Sequence, residues 1–185
     1  MSTETEVKIK LVDIADFRLR LSVLNPVALS ARHFEDNQLV DFPDRRLGSG
    51  QCLLRVRFTA GRHFLTFKGP PRSEGIFKVR EELETAVEDG TILLQTLERI
   101  GMRVSFRYQK YRQEFDVDGV HVAIDETPIG NYAEFEGSET GIRDVTRKME
   151  IDEARFLRSS YYSLYVEYCC EKGKTPEFMV FAAGN

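Results

Sequence analysis

The sequence predicts an α+β fold in which antiparallel strands dominate and close into a barrel of about eight strands, a tunnel with helices packed outside. Three observations predict this fold. Period-two patterns recur along the chain, turn signals separate them at short intervals, and helical patterns are confined to four segments. In most of the strand patterns one face is charged, so closing the sheet would gather those faces into a polar lumen.

The composition of the 185-residue chain is that of a globular protein, and we treat residues 1–185 as one domain. Apolar runs stay well short of the roughly 20 residues that span a membrane, and the acidic N-terminal residues do not resemble a signal peptide. A net charge of −4 disfavours a nucleic-acid partner, because duplex-binding surfaces need a basic excess. The cysteines Cys52, Cys169 and Cys170 lack metal-ligand spacing, so we expect reduced thiols and a cytoplasmic location.

Helices are predicted over residues 13–24, 88–100 and 140–149, where apolar residues return to one face every three to four positions. Gly101 directly after the second segment fits a C-terminal cap. A fourth helix is predicted from about residue 159 to residue 169. Its many aromatic residues leave a partial strand open as the alternative.

Two polar segments show neither the period of a strand nor that of a helix. Residues 35–46 are expected to form a solvated hairpin or, as a slightly favoured alternative, a lid over the mouth of the barrel. Gly48-Ser49-Gly50 lacks the rest of a phosphate loop and is expected to be a flexible connection. The histidines have no zinc spacing and are expected to be structural; they are His33, His63 and His121.

Charged residues alternate with apolar ones in the predicted strands. Near the N-terminus, Glu4, Glu6 and Lys8 share one face, whereas Val7 and Ile9 share the other. A single strand of this kind usually means a sheet with one solvated face. Solvated faces normally mix Thr, Ser, Gln and Lys, whereas here paired acids or paired bases recur. The strands that repeat the alternation are predicted over residues 53–58, 63–68, 78–84, 104–116 and 132–136.

A charged lumen needs a chemical explanation, because charges away from bulk water are costly unless they are paired. The cations are Lys8, Arg55, Arg57, Lys68, Arg80, Lys110 and Arg112. The anions are Glu4, Glu6, Glu82, Glu84, Asp125, Glu134 and Glu136. Mutual pairing would account for many of them. The cations also suit phosphate oxygens, and the carboxylates would then need a bridging Mg²⁺ or Mn²⁺, so the pattern points to a metal–triphosphate complex.

The same residues carry a resemblance to the CYTH superfamily of triphosphate tunnel metalloenzymes, and within it to class IV adenylyl cyclases. Glu4-Thr5-Glu6-Val7-Lys8 resembles the E-x-E-x-K signature of that family. The later elements follow in family order, and they are Leu54-Arg55-Val56-Arg57, the L-T-x-K-G-P element at 65–70, the R-x-E-x-E element at 80–84, Lys110-Tyr111-Arg112, the acidic strand pair at 125–136, and Ser160-Tyr161. The resemblance covers about residues 2–170, and the tail 172–185 lies outside it.

The resemblance implies an eight-stranded antiparallel tunnel that binds a triphosphate with Mg²⁺ or Mn²⁺, and it makes a homodimer an expected assembly. It implies that the metal ligands are Glu4, Glu6, Asp125, Glu134 and Glu136. It implies that the phosphates are held by Lys8, Arg55, Arg57, Lys68, Arg80, Lys110 and Arg112. Two further residues would either bind metal or orient the arginines; they are Glu82 and Glu84.

Two reactions suit such a site, and a third function without catalysis stays open. In the cyclase reaction ATP becomes cyclic AMP and pyrophosphate. In the hydrolase reaction water attacks the terminal phosphorus of tripolyphosphate or of a nucleoside or thiamine triphosphate. A non-catalytic module for polyphosphate or a nucleotide is the remaining alternative. Lys8 is the candidate catalytic residue that positions or deprotonates the nucleophile, with a pKa expected to fall among the surrounding cations.

Overall fold

The computed structural model describes residues 2–72 and 75–182, and that part of the chain holds eight strands. Their bounds are β1 Ser2–Leu11, β2 Val27–Asp41, β3 Leu53–Thr59, β4 Arg62–Lys68, β5 Lys78–Val87, β6 Arg103–Val117, β7 Val120–Thr127 and β8 Gly130–Glu136. They form one closed antiparallel barrel in the order β1-β5-β4-β3-β2-β6-β7-β8. The predicted α+β fold with a closed barrel is confirmed. Met1 and residues 183–185, at the two ends of the expected single domain, lie outside the described part.

The described residues also hold five α-helices. They are α1 Ile14–Ser22, α2 Arg46–Ser49, α3 Gly90–Arg99, α4 Glu139–Lys148 and α5 Tyr161–Glu171. Four of them are the predicted helices, and the aromatic segment is a helix rather than a strand. Each of these four begins after a side chain that accepts hydrogen bonds from free N–H groups of the first turn. The capping residues are Asp13, Asp89, Ser138 and Ser160.

The segment 35–46 is where the sequence-based prediction is wrong. Strand β2 runs through to Asp41 and pairs with β3 and β6, so most of the segment is neither a solvated hairpin nor a lid. Its polar residues Glu35 and Asn37 point into the barrel and are buried, which polar composition alone does not reveal. Register shifts earlier in β2 also break the period-two pattern. The expected flexible connection at 48–50 is wrong too, because α2 covers Gly48 and Ser49.

Because the charged faces of the strands line the inside of the barrel, their apolar faces point outward. The hydrophobic core therefore lies outside the barrel. The outer faces of β1, β7 and β8 pack against α1 and α4. Phe17 of α1 meets Phe135 of β8 with ring centroids 6.2 Å apart. Burial of each such side chain contributes about 1.5–3 kcal/mol. Other members of this core are Val7, Ile9, Leu21, Val122, Ile124, Ile142, Val145 and Met149.

The C-terminal segment completes the barrel at one end. Leu157 pairs with Lys8 of β1, and Met179 pairs with Tyr108 of β6. Between these two bridges, α5 lies over the end of the tunnel and brings Tyr161 to its wall. Met179 is completely buried, so the tail has a structural role that no motif predicted. In the described part of the chain no helix is both long enough and apolar enough to cross a membrane.

Candidate active site: a charged tunnel

The barrel encloses a tunnel with a cavity volume of about 470 Å³. All but one of the predicted site residues line it, and the exception is Asp125. The residues at its wall are Glu4, Glu6, Lys8, Arg55, Arg57, Lys68, Arg80, Glu82, Glu84, Lys110, Arg112, Glu134 and Glu136. Side chains that are dispersed over the sequence therefore converge on one space.

Strand register explains why these side chains meet. Strand β1 lies between β5 and β8, and its partner positions place Glu4 opposite Arg80 and Lys8 opposite Glu134. Directly opposed residues of an antiparallel pair point to the same face of the sheet. The alternation of charged and apolar residues thus becomes a charged lumen as soon as the barrel closes.

One side of the tunnel carries an excess of carboxylates. Lys68 contacts Glu4 at 2.5 Å and Glu82 at 2.9 Å. Burial and the neighbouring Glu6 nevertheless raise the pKa of Glu4 to about 7, against the opposing effect of Lys68. Burial also raises the pKa of Glu136. The negative charge on this side is only partly compensated by the protein.

Lys8 donates to Glu134 at a distance of 2.7 Å and is almost completely buried. Burial alone would lower the pKa of Lys8, but the negative charges of Glu134 and Glu6 outweigh it and raise that pKa. The expectation of a lowered pKa is therefore wrong. The nearest charged groups are carboxylates rather than cations, so Lys8 keeps its proton in this arrangement.

Asp125 lies opposite Arg112 in the pairing of β6 with β7, on the lumen side of the sheet, but it is fully buried beneath its neighbours. Its carboxylate accepts hydrogen bonds from Arg112 Nε at 2.7 Å, from Lys110 Nζ at 3.0 Å and from the Tyr161 hydroxyl at 2.5 Å. Asp125 does not line the cavity in this structure, and its predicted role of metal ligand stays a prediction. Asp125 orients two cations whose side chains reach the tunnel.

Glu84 holds the two arginines of β3. It accepts a hydrogen bond from Arg57 at 2.8 Å and one from Thr66 at 2.6 Å, and it forms an ion pair with Arg55 at 3.5 Å. Of the two roles left open for Glu84, its contacts fit the orientation of the arginines. Arg80 differs from the other cations, because its guanidinium donates to the carbonyl oxygens of Gly69 and Lys68.

Comparison with known proteins places this tunnel in a family. A CYTH domain profile matches residues 2–161. The chain belongs to the CYTH domain family. Over 172 residues it is 25% identical to a protein of Methanocaldococcus jannaschii named "Putative adenylate cyclase", a match that covers 87% of this chain and 97% of that protein.

Solved structures share the CYTH tunnel fold. A structure from Vibrio parahaemolyticus, described as a "putative adenylate cyclase", has a TM-score of 0.78 at 21% identity and covers 88% of this chain and 97% of that one. A protein from Hippeastrum, whose description is that of a "putative adenylyl cyclase" with a dominant triphosphatase activity, has a TM-score of 0.65 at 19% identity, with 94% and 97% covered. At these identities the likeness concerns the fold alone.

The CYTH tunnel contains functional candidates that sequence reasoning missed. Glu35 is buried between Lys110 at 3.6 Å and Arg57 at 3.5 Å, and it was missed because strand β2 was not predicted. Burial would raise the pKa of Glu35, but Lys110 and the other neighbouring cations hold it well below its usual value. Lys78 contacts Glu6 at 2.7 Å. Lys78 lies on the charged face of the strand predicted over residues 78–84, and this position was the signal that could have identified it.

His121 also lines the CYTH tunnel, although the sequence marked it only as structural. Its Nε2 lies 3.1 Å from Glu114 Oε1, and Ser30 donates to the other oxygen of the same carboxylate at 2.9 Å. His121 lies directly opposite Glu136 in the pairing of β7 with β8. No motif spacing distinguished His121, so only the closed barrel reveals its place.

The donor set of the tunnel fits a hard divalent cation. Within residues 2–72 and 75–182 no three His, Cys, Asp or Glu side chains stand close enough together to form a finished metal site. Glu4, Glu6, Glu134 and Glu136 nevertheless face the same cavity with oxygen ligands, which Mg²⁺ and Mn²⁺ prefer. Burial is the main cause of the raised pKa values of Glu4 and Glu136, and a bound cation would stabilise their ionised forms.

Proposed function

We propose that this protein is a metal-dependent enzyme that processes a triphosphate in the CYTH tunnel. We place it with class IV adenylyl cyclases, which convert ATP to cyclic AMP and pyrophosphate, and keep triphosphate hydrolysis as an alternative of comparable weight. The observation that carries the proposal is the enclosure of many lysine and arginine side chains together with a group of carboxylates whose charge the protein compensates only in part. Triphosphate and divalent cation are the ligands whose charges complement both groups.

The phosphate chain would lie against the tunnel cations. Glu84 and Asp125 preorganise Arg57 and Arg112, and a guanidinium held in this way binds phosphate oxygens without further loss of freedom. The proposed phosphate ligands are Lys8, Arg55, Arg57, Lys68, Lys110 and Arg112. Arg80 contributes charge at the wall, while its hydrogen bonds hold the end of β4.

The metal would be held by the carboxylates that face the cavity. The proposed ligands are Glu4, Glu6, Glu134 and Glu136, which line the cavity, and Asp125 is left out because it is fully buried and does not line it. A bound Mg²⁺ or Mn²⁺ supplies Lewis-acid stabilisation of the developing charge on phosphate oxygens. Glu82 pairs with Lys68 and so sets the position of a phosphate ligand.

Lys8 is assigned to positioning the attacking oxygen. Its ammonium projects into the cavity beside Glu134, and its raised pKa keeps it a charged donor rather than a base. In the cyclase reaction the ribose 3′-oxygen would bond to the α-phosphorus as the bond to pyrophosphate breaks, and the hydroxyl proton would pass to solvent, because Lys8 is already protonated. In the hydrolase reaction a water oxygen would bond to the terminal phosphorus, and the remaining diphosphate would leave.

A product assay tests the proposal. The protein is incubated with ATP and with tripolyphosphate, each with Mg²⁺ and with Mn²⁺, and cyclic AMP, ADP and orthophosphate are quantified. Cyclic AMP supports the cyclase, and orthophosphate supports the triphosphatase. Tight binding without any product would favour the non-catalytic module. A cytoplasmic location and a homodimer stay predictions.

A further inference from the structure

A separate cavity lies between α5 and the ends of β1 and β8. Its volume is about 360 Å³, within the size range of small-molecule sites. Among the described residues, no residue that lines this cavity also lines the charged tunnel. A ligand in this cavity would therefore contact none of the residues assigned to the triphosphate, so the cavity is a different site.

The apolar part of the cavity lining is held in place by hydrogen bonds of the backbone. Leu157 exchanges hydrogen bonds with the backbone of Lys8, at 2.7 and 3.0 Å. The N–H of Ile129 donates to Thr127 Oγ1 at 3.2 Å, which fixes the turn between β7 and β8. Leu164 of α5 is buried and lines the cavity together with Leu157 and Ile129. The cavity thus offers an ordered apolar surface to an apolar group.

Charged residues of both signs complete the lining of the cavity. Lys10 of β1 and Arg155 are the basic residues, and Arg155 donates to the Lys10 carbonyl oxygen at 3.2 Å. Glu167 and Glu171, one turn apart on α5, are the acidic residues. Within the part of the chain that the structure describes, no ion pair joins the basic residues to the acidic ones. Both pairs are therefore open to a ligand that carries the opposite charges.

Tyr132 brings an unpartnered polar group to the same cavity. The residue is only 3% exposed, and its hydroxyl makes no hydrogen bond to any residue that the structure describes. Lys10 lies directly opposite Tyr132 in the pairing of β1 with β8, so both side chains point to the same face. Burial raises the pKa of Tyr132, and the charges of Glu167 and Glu171 add to this effect. Because buried polar groups normally have a hydrogen-bond partner, the Tyr132 hydroxyl indicates a ligand.

We propose that this cavity binds a free α-amino acid with an apolar side chain. Such a molecule carries an ammonium and a carboxylate on one carbon atom, so it complements both kinds of charge in the lining. The ammonium donates to the Tyr132 oxygen and faces Glu167 and Glu171. The carboxylate faces Lys10 and Arg155, and the apolar side chain covers the leucine and isoleucine surface and leaves water. The assignment does not depend on the proposed function, because the cavity and the tunnel have no lining residue in common in the described part of the chain.

Isothermal titration calorimetry of the whole protein with L-leucine and with L-phenylalanine tests this assignment, and at least one of the two should bind. Tyr132→Phe removes the hydroxyl without breaking a hydrogen bond between described residues, and it should weaken that binding by about fivefold. Glu171→Gln removes one acidic charge and should weaken the binding by about tenfold. Tyr162→Phe and Glu98→Gln are the matched controls, because both positions are exposed and lie outside the cavity, and both variants should bind like wild type.

Analogues that lack one of the two charges test the zwitterion itself. Isoamylamine and phenethylamine lack the carboxylate of leucine and phenylalanine, and isocaproate and hydrocinnamate lack the ammonium. Each analogue should bind at least about tenfold more weakly than the corresponding amino acid. The inference is overturned if neither amino acid binds, if Tyr132→Phe or Glu171→Gln binds as tightly as wild type, or if an analogue binds as tightly as its amino acid.

Discussion

The Tyr161 hydroxyl donates a hydrogen bond to the Asp125 carboxylate at 2.5 Å, and both side chains are buried. The contact joins the first residue of α5 to strand β7. The ring of Tyr161 also lies 4.8 Å from Lys8 Nζ and 5.2 Å from Lys110 Nζ. One aromatic residue from the C-terminal helix therefore packs against two tunnel cations and holds the carboxylate that orients one of them.

Tyr161→Phe removes this hydroxyl and keeps the ring. We expect a loss of about 1.5 kcal/mol in the free energy of unfolding, because a buried charged acceptor loses one of its donors. Urea denaturation measures the change. Tyr162→Phe, which removes an exposed hydroxyl on the same helix, should stay within about 0.5 kcal/mol of wild type. Equal stability of the two variants would show that the Tyr161–Asp125 contact contributes nothing.

Lys8→Ala is expected to lower kcat by about 10²-fold, because a charged donor at the reacting phosphate is lost. Steady-state kinetics on the substrate found in the product assay provides the measurement. Lys10→Ala is the control, since Lys10 lies on the same strand but is exposed and does not line the tunnel. An unchanged kcat in Lys8→Ala would remove Lys8 from the catalytic assignment.

Glu136→Gln is expected to weaken Mn²⁺ binding by about tenfold, because it removes one charged oxygen ligand from the proposed site. Electron paramagnetic resonance of free Mn²⁺, in the presence of tripolyphosphate, gives the affinity. Glu126→Gln serves as a matched control, because Glu126 pairs with Arg32 on the outer surface. If both variants bind Mn²⁺ like wild type, Glu136 is not a ligand.

Glu114 contributes to the dependence of stability on pH. Its hydrogen bond with His121, supported by Arg112 and Ser30 and opposed by burial, lowers the pKa of Glu114 to about 2 from 4.5. A carboxyl whose pKa is depressed by folding stabilises the protein above its unfolded pKa, and this stabilisation disappears as pH falls through the folded value.

The corresponding experiment compares wild type with Glu114→Gln by urea denaturation over the acid range. The stability difference should be full above about pH 5 and should shrink toward zero near about pH 2. Glu98→Gln, at an exposed position on α3, should show no such pH-dependent difference from wild type. A difference for Glu114→Gln that stays constant across this range would contradict the prediction.

Much of the tunnel was predictable because strand alternation is local. The spacing of Glu4, Glu6 and Lys8 already places them on one face, and burial at the barrel interior follows from closure. Strand β2 was not predictable in the same way, since its lumen residues Glu35 and Asn37 resemble those of a solvated loop. Polar residues are predicted to lie on the surface unless the residues that neutralise them are known.

The sequence by itself determined that charged strand faces would line one lumen and that their residue types suit a metal–triphosphate complex, because side-chain direction in a strand depends only on position parity. Only the tertiary structure decided what each charge does there. Asp125 became an anchor for Arg112 and Lys110, and Lys8 gained a raised pKa from Glu134, because such effects depend on distances between residues far apart in the chain.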